Sequence, residues 1–463
     1  MNFDLIVLGS GPGGYVAAIR AAQTGLSVAV VEKAELGGVC LNWGCIPTKA
    51  LLKSAQVFNY IKHADTYGIA INGDISPDFK AVIDRSRLVA SNMSKGIEFL
   101  FKKNKISIVR GFGKLISKNQ LSVIDADNNE TIVSAKHIIL ATGARSKELP
   151  GVKQDGKRII GYREALTLEN LPKSMAVIGS GAIGTELAFF YASMGTEVTI
   201  IEFLPNIVPL EDEEVSKQLA RSLKKAGIKI MTDTRVQNVD VYGDDCIVSY
   251  LNKKGESSIT TEIVLSAVGV IPNLENIGLE ELNIELEKGK IKVDEYYKTN
   301  IDGIYAIGDI INSPALAHVA SAEAITCIEH IVGMNPPTID YSNIPSCVYC
   351  VPEIASVGIT EQEAKEKEIP YKIGKFPFIA SGKAAASGSK DGFIKLIFDE
   401  NSDELLGAHF IGDNVTEMIA EMVVLKKLNG KAKDLIKTIH PHPSLSEAIM
   451  EAAADAHNEA VHL

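Results

Sequence analysis

The stretch LIVLGSGPGGYVAAIRAAQTGLSVAVVEK, Leu5 to Lys33, returns later in the chain as MAVIGSGAIGTELAFFYASMGTEVTIIEF, Met175 to Phe203. Gly9, Gly11 and Gly14 align with Gly179, Gly181 and Gly184, and Glu32 aligns with Glu202. In each copy an apolar run leads into the glycines, an Ala-rich stretch follows, and a second apolar run ends at the acid. That order predicts strand, turn, helix, strand, a right-handed crossover with both strands buried in a parallel sheet. The glycines permit a tight turn and close approach of backbone to a pyrophosphate. The helix N-terminus adds NH groups and the positive end of its dipole. The acids, about 20 residues on, are placed to accept a hydrogen bond from a ribose 2′-hydroxyl. Two dinucleotide sites are therefore expected. A carboxylate at position 202 repels a 2′-phosphate, and Phe203-Leu204 and the residues that follow bring no nearby Arg, so the second site should prefer NAD to NADP.

Each unit closes with a strand ending in glycine, HIILATG (137–143) and IVLSAVG (263–269). Linkers are expected at Glu148–Gly151 and Ile271–Asn273, and GIYAIGDI (303–310) reads as a further buried strand ending at Gly308-Asp309. From about Tyr341 the pattern changes to alternating strands such as Phe393 to Phe398, then helices, with an Ala-rich helical tail after Ile449. The fold class is α/β: two Rossmann-like dinucleotide-binding domains, 1–147 and 148–271, a central segment 272–342, and a C-terminal α+β domain, 343–463. A chain of 463 residues has room for about three domains. Its net charge of −11 disfavours nucleic acid or an anionic membrane as partner. No run of about 18 apolar residues suggests a membrane span. Met1-Asn2-Phe3-Asp4 leads straight into an apolar strand without the marks of a signal or transit peptide, so a cytoplasmic protein, or a trimmed organellar one, is expected. In that compartment any disulfide among the six cysteines should be a working one.

GGVCLNWGCIPTKALL, Gly37 to Leu52, follows the first unit directly. Five steps along a regular helix would part Cys40 and Cys45 by about 7.5 Å, too far for an unstrained disulfide. Cys40 is therefore expected in a loop and Cys45 at the start of a helix, whose N-terminus favours a thiolate. Pro47 suits a first helical turn. Lys49 stands one turn beyond Cys45, and Glu186 opens the helix of the second unit. Spacing alone leaves open whether these two form a buried ion pair or are a solvated Lys and a helix-start Glu. Cys347 and Cys350 have CxxC spacing but no second pair or His cluster, so no metal site is expected there. HPHPSLSEA, His440 to Ala448, presents imidazoles between prolines. Glu447 fits a capping box with Ser444, and also the role of orienting His442 as a general base.

Together these residues resemble the pyridine nucleotide–disulfide oxidoreductases over the full chain, and GGVCLNWGCIPTKALL and HPHPSLSEA are most similar to the branch that oxidises dihydrolipoamide. The resemblance implies FAD held by Gly9, Gly11, Gly14, Glu32, Lys49, Gly113, Thr142, Gly143, Asp309 and Ala317. It implies NAD held by Gly179, Gly181, Gly184, Glu202, Val236 and Gly269. Cys40 matches the thiol that exchanges with dihydrolipoamide, Cys45 the thiol facing the flavin, Lys49 and Glu186 an ion pair beside it, and His442 the base backed by Glu447. It further implies that the C-terminal domain dimerises, that His442 completes the site of the other subunit, and that the substrate arm belongs to a lipoyl-bearing acyltransferase or a glycine-cleavage carrier protein. Trp43 stands where Val is common, Pro441 and Ser444 replace a small residue and a Thr, and Ile379 to Gly388 departs from the usual pattern. Two other readings remain: another NAD(P)H-dependent disulfide reductase of the family, or a non-catalytic flavin-binding subunit. Against the first, basic residues for NADP are absent around Glu202 and the last cysteine is Cys350.

Overall fold

A computed structural model describes residues 1–463, and the chain divides into two compact units. The first comprises Met1–Ala50, Ala81–Lys147 and Val270–Ile339. Its centre is a seven-stranded sheet that contains the parallel strand pair the first repeat predicts: β1 (Asn2–Leu8), β2 (Val28–Glu32), β3 (Ser107–Arg110), β4 (Phe112–Ser117), β5 (Gln120–Ile124) and β6 (Glu130–Leu140) run in the order β3-β2-β1-β6-β5-β4. The strand Ile304–Ala306 pairs in parallel with β6. β1 lies parallel between β2 and β6, and Leu5, Ile6, Val7 and Val28–Val31 are almost fully buried, as expected of strands covered on both faces.

Four helices matter for the site. α1 (Pro12–Gln23) starts after Gly11, with proline at its first turn. α2 (Gly38–Trp43) is short, and α3 (Cys45–Lys62) follows after a single residue, Gly44. Cys40 therefore lies in a helix, not in the loop expected. Gly37, at φ 94°, starts α2, and Gly44, at φ −148° and ψ −113°, ends it. The break at Gly44 resets the helical path, which removes the distance problem that argued for a loop. α4 (Phe79–Lys103) is amphipathic, and Ile83, Ala90, Ile97 and Phe101 on its inner face are buried.

The second unit comprises Leu51–Lys80, Glu148–Gly269 and Asp340–Leu463. It repeats the parallel architecture: β7 (Ser174–Ile178) lies between β8 (Glu197–Ile201) and the strand Ile263–Ser266, with α5 (Ala182–Met194) after the glycines. Its helix α6 (Glu213–Lys225) is N-capped by the Asp212 side chain, which accepts from Glu214 N.

The unit also holds a five-stranded antiparallel sheet in the order Ser346–Val348, Glu353–Gly358, Leu405–Gly412, Phe393–Asp399, Tyr371–Pro377. One face is apolar: Ala355, Val357, Ile394, Leu396, Phe398, Ala408 and Phe410 pack with Ala448, Ile449, Ala452 and Ala453 of α7 (Glu447–Asp455). On the other face the register aligns Ser346, Ser356, His409, Lys395 and Lys375 in one row across all five strands. The acids beside α6 meet this row. Glu211 accepts from Ser346 at 3.4 Å, and Asp212 from Lys395 at 3.0 and 3.1 Å. Glu214 lies 3.2 Å from both Lys375 and Lys395, and Glu361 2.6 Å from Lys395. No helix in the chain is long and apolar enough to cross a membrane.

Candidate functional site: two glycine turns, a thiol pair and a presented imidazole

The two glycine turns are closed by the same hydrogen bonds. Gly9 N donates to Val31 O at 2.8 Å and Gly179 N to Ile201 O at 2.9 Å. Glu32 Oε2 accepts from Ser10 N (2.9 Å) and Ser10 Oγ (2.7 Å), while its Oε1 accepts from Ala34 N (2.9 Å). Glu202 does the same with Ser180 N (2.9 Å), Ser180 Oγ (2.6 Å) and Leu204 N (2.8 Å). Each acid thus ties its turn to the end of the second strand, a role the spacing did not reveal. The repeated serine, Ser10 and Ser180, was the available signal. With three acceptor directions used, a carboxylate keeps about one more for a hydroxyl donor.

The glycines divide by what surrounds them. A Cβ on Gly14 would sit 2.0 Å from Gly9 O, and one on Gly184 2.2 Å from Gly179 O, so helix and strand require glycine there. Gly11 and Gly181, at the N-caps of α1 and α5, have nothing within 4 Å of such a Cβ. Protein packing does not demand glycine at these two positions. A guest whose phosphates approach the helix N-terminus does. Each turn therefore fits a dinucleotide diphosphate.

Other expected contact residues are more mixed. Gly143 and Gly269 have positive φ, 67° and 102°, with open space around the Cβ position. Ala317 opens the helix Ala317–Ile331. Asp309 is half-buried, and burial raises its carboxyl above the ordinary value despite the charge of Lys290. Gly113 has a packing reason of its own, since a Cβ would lie 2.6 Å from Leu8 Cδ1. Thr142 Oγ1 donates to Asn273 O at 2.7 Å, and Val236 pairs with Tyr250 in an antiparallel sheet.

The thiols of Cys40 and Cys45 meet. Cys40 is half-buried and Cys45, first residue of α3, is exposed. The Cys40 thiol is pushed well up by its hydrogen bond with the Cys45 side chain, then by burial and by charge at Cys45, with the Lys49 ammonium pulling the other way. The two sulfurs therefore lie in contact, with the Lys49 cation nearby. Glu186 is buried at the start of α5 and accepts from Tyr349 N at 2.9 Å. Cys347 lies in the strand Ser346–Val348, and Cys350 lies beyond its end, with its thiol donating to Pro352 O.

His440 and His442 differ. His440 uses both ring nitrogens, with Glu421 at 2.9 Å and Thr438 O at 3.2 Å. The His442 side chain is 81% exposed, and its Nδ1 meets Glu447 Oε1 at 2.8 Å. Glu447 Oε2 accepts from Ser444 N at 2.8 Å, but the Ser444 hydroxyl makes no return bond, so only half the expected capping box forms. Burial alone would raise the Glu447 carboxyl. The bonds from Ser444 N and His442, with nearby imidazole charge, outweigh it and hold the group below the ordinary value.

The profile of the family described as pyridine nucleotide-disulphide oxidoreductase matches residues 3–324. The profile of that family's dimerisation domain matches residues 344–453. The chain is 46% identical to the dihydrolipoyl dehydrogenase of Rhizobium etli, covering 98% of both chains. It is 47% identical to that of Zymomonas mobilis over 100% of this chain and 99% of the relative, and 43% identical to that of Bacillus subtilis with the same coverage. The crystal structure of LpdA from Mycobacterium tuberculosis superposes with a TM-score of 0.90 at 26% identity, covering 97% of this chain and 99% of the other. These matches, lying on the duplicated turns and the thiol pair, establish that the chain belongs to the pyridine nucleotide-disulphide oxidoreductase family and groups with its dihydrolipoyl dehydrogenases.

Proposed function

We propose that this chain is a flavoprotein disulfide oxidoreductase that oxidises protein-bound dihydrolipoamide to lipoamide and reduces NAD+ to NADH. The observation that carries the reading is the Cys40–Cys45 thiol pair, placed directly after a dinucleotide turn and beside the Lys49 cation. Residues 1–147, with 272–342, form the FAD-binding part, 148–271 the NAD-binding part, and 343–463 the interface. FAD sits on Gly9, Gly11, Gly14 and Glu32, with Gly113, Thr142, Gly143, Asp309 and Ala317 around it. NAD sits on Gly179, Gly181, Gly184 and Glu202, with Val236 and Gly269. Lys49 and Glu186 pair beside the flavin. Bound FAD supplies a carrier that takes two electrons from a dithiol and delivers them to NAD+ as hydride.

The chain's own residues perform the thiol chemistry. His442 Nε2 takes a proton from a dihydrolipoyl thiol while Glu447 holds Nδ1. The thiolate attacks the Cys40 sulfur of the disulfide, a new S–S bond forms to Cys40, and Cys45 leaves as thiolate. The second lipoyl thiolate then displaces Cys40, which yields oxidised lipoamide and a Cys40–Cys45 dithiol holding two electrons. The active form is a homodimer in which His442 acts on the disulfide of the other subunit. The lipoyl arm belongs to an acyltransferase or a glycine-cleavage carrier protein, and the enzyme works in the cytoplasm, with neither nucleic acid nor membrane as partner.

The test is NADH formation from dihydrolipoamide and NAD+, run beside glutathione with NADPH. Turnover on the second pair and none on the first would reject the reading. A Cys45→Ser variant should lose lipoamide turnover while retaining flavin, and full turnover there would remove the thiol mechanism. Gly11→Ala and Gly14→Ala should separate binding from folding. Gly14→Ala destabilises by roughly 1–3 kcal/mol through overpacking, whereas Gly11→Ala loses flavin yet keeps the thermal stability of the flavin-free wild type. Equal flavin content in Gly11→Ala and wild type would remove the turn from the FAD site.

A further inference from the structure

The helix break that brings the thiols together leaves the last carbonyls of α2 without partners inside the helix. α4 supplies partners for the segment on both sides of the break. Ser94 Oγ lies 2.7 Å from Leu36 O and from the side-chain oxygen of Asn42. Arg87 Nη1 donates to Asn42 O at 2.6 Å, Ser86 Oγ to Pro47 O at 3.0 Å, and Arg85 Nη1 to Ala50 O at 2.7 Å. One helix thus grips carbonyls from just before Cys40 to just after Cys45. Arg87 holds the one nearest the break. Its guanidinium also lies 4.2 Å from the ring centroid of Trp43, whose indole NH reaches Glu35 at 3.4 Å. Trp43 is the chain's single tryptophan and stands between the two cysteines. A planar guanidinium can stack on the ring and keep the carbonyl bond at once, which an ammonium cannot.

We propose that Arg87, stacked on Trp43, is a positioning residue for disulfide exchange. It locks the break between α2 and α3 so that Cys40 and Cys45 remain in register when the S–S bond between them opens. The proposal rests on the dihydrolipoamide reading for its substrate, but not for its effect on the thiol pair. Without the lock the two thiols lose effective concentration for one another, and the intrachain disulfide becomes easier to reduce.

The test uses the flavin-loaded dimer and the variants Arg87→Met, Arg87→Lys and Trp43→Val. Each is equilibrated with glutathione redox buffers and assayed for dihydrolipoamide turnover. NADH oxidation by a dye that accepts electrons without the thiols serves as reference. Arg87→Met should lower the equilibrium constant for forming the Cys40–Cys45 disulfide by about 10-fold, equivalent to roughly 30 mV. Lipoamide kcat should fall by about 10-fold or more, with dye reduction and the KM for NADH unchanged. Arg87→Lys and Trp43→Val should fall between Arg87→Met and wild type. A wild-type disulfide equilibrium in Arg87→Met overturns the proposal. If that variant does not fold, a wild-type equilibrium in both Arg87→Lys and Trp43→Val overturns it equally. Wild-type enzyme that ignores dihydrolipoamide, yet shows the shift in Arg87→Met, would reject the substrate and leave the positioning role standing.

Discussion

Replacing His442 with Gln should lower dihydrolipoamide turnover by ~10²–10⁴-fold, the usual loss when a general base is removed. The geometry singles out this imidazole. Its neighbour His440 spends both nitrogens on Glu421 and Thr438 O, whereas His442 directs one nitrogen to Glu447 and leaves the other for a substrate proton. The Glu447 carboxyl sits below its ordinary value because the Ser444 NH and the imidazole outweigh its burial. A depressed carboxyl contributes stability above its unfolded pKa and loses it as pH falls through the folded one. The orienting bond should therefore hold through neutral pH and fail only in acid. Dye reduction by NADH needs no thiol proton and should be unchanged in the variant. A second arm tests which subunit supplies the base. Chains carrying Cys45→Ser co-expressed with chains carrying His442→Gln regain turnover only if the imidazole serves the other subunit, because the mixed dimer then holds one intact site. No recovery would place the base in the subunit of its own cysteines. Wild-type turnover in His442→Gln would remove the base altogether.

Lys395→Met should destabilise the second unit by roughly 3–5 kcal/mol at neutral pH, the cost of leaving buried charge unpaired. The lysine is fully buried and meets Asp212, Glu214 and Glu361 within 3.2 Å. Burial opposes its charge, and the three carboxylates restore it. Burial likewise pushes Glu361 upward, but Lys365 and Lys395 hold it at about 2. Such depressed carboxyls stabilise the fold above the ordinary carboxylate range and cease to as pH falls towards 2. In the variant Glu361 keeps Lys365 and Glu214 keeps Lys375, but Asp212 loses its cation, so its protonation relieves the deficit. Urea unfolding should show a large loss at pH 7 and a smaller one at pH 5. Glu211 works in the other direction. Burial pushes it up to about 6, so its cost to stability grows as pH rises from the ordinary carboxylate range to about 6 and is complete above that. An equal loss at pH 7 and pH 5 would show that the side chain's bulk matters there, not its charge.

What the sequence revealed and what it hid follow from range. The glycine turns, the acid of each copy and the cysteine spacing are set within about 30 residues, and each had a local steric or electrostatic reason to be where it is. The short helix around Cys40 escaped because six residues are too few for a periodic pattern, and the glycines at its ends looked like loop. The row formed by Ser346, Ser356, His409, Lys395 and Lys375 comes from five strands, and only their register lines it up. In the sequence Lys395 is one lysine within an apolar strand. Arg87 was equally hidden, because its carbonyl partner lies far back along the chain. Gly113 entered only through the resemblance, as an FAD contact, and its nearest neighbours also give it a packing reason that the sequence did not reveal.

The serine–glutamate latch on each nucleotide loop has a kinetic and energetic consequence. Ser10 with Glu32, and Ser180 with Glu202, shape the receiving backbone from the protein's own donors. A cofactor then enters a mould already cast, and little of its affinity is spent on ordering the chain. The reciprocal effect is that losing a nucleotide should leave the mould intact, so an emptied subunit can be recharged without refolding.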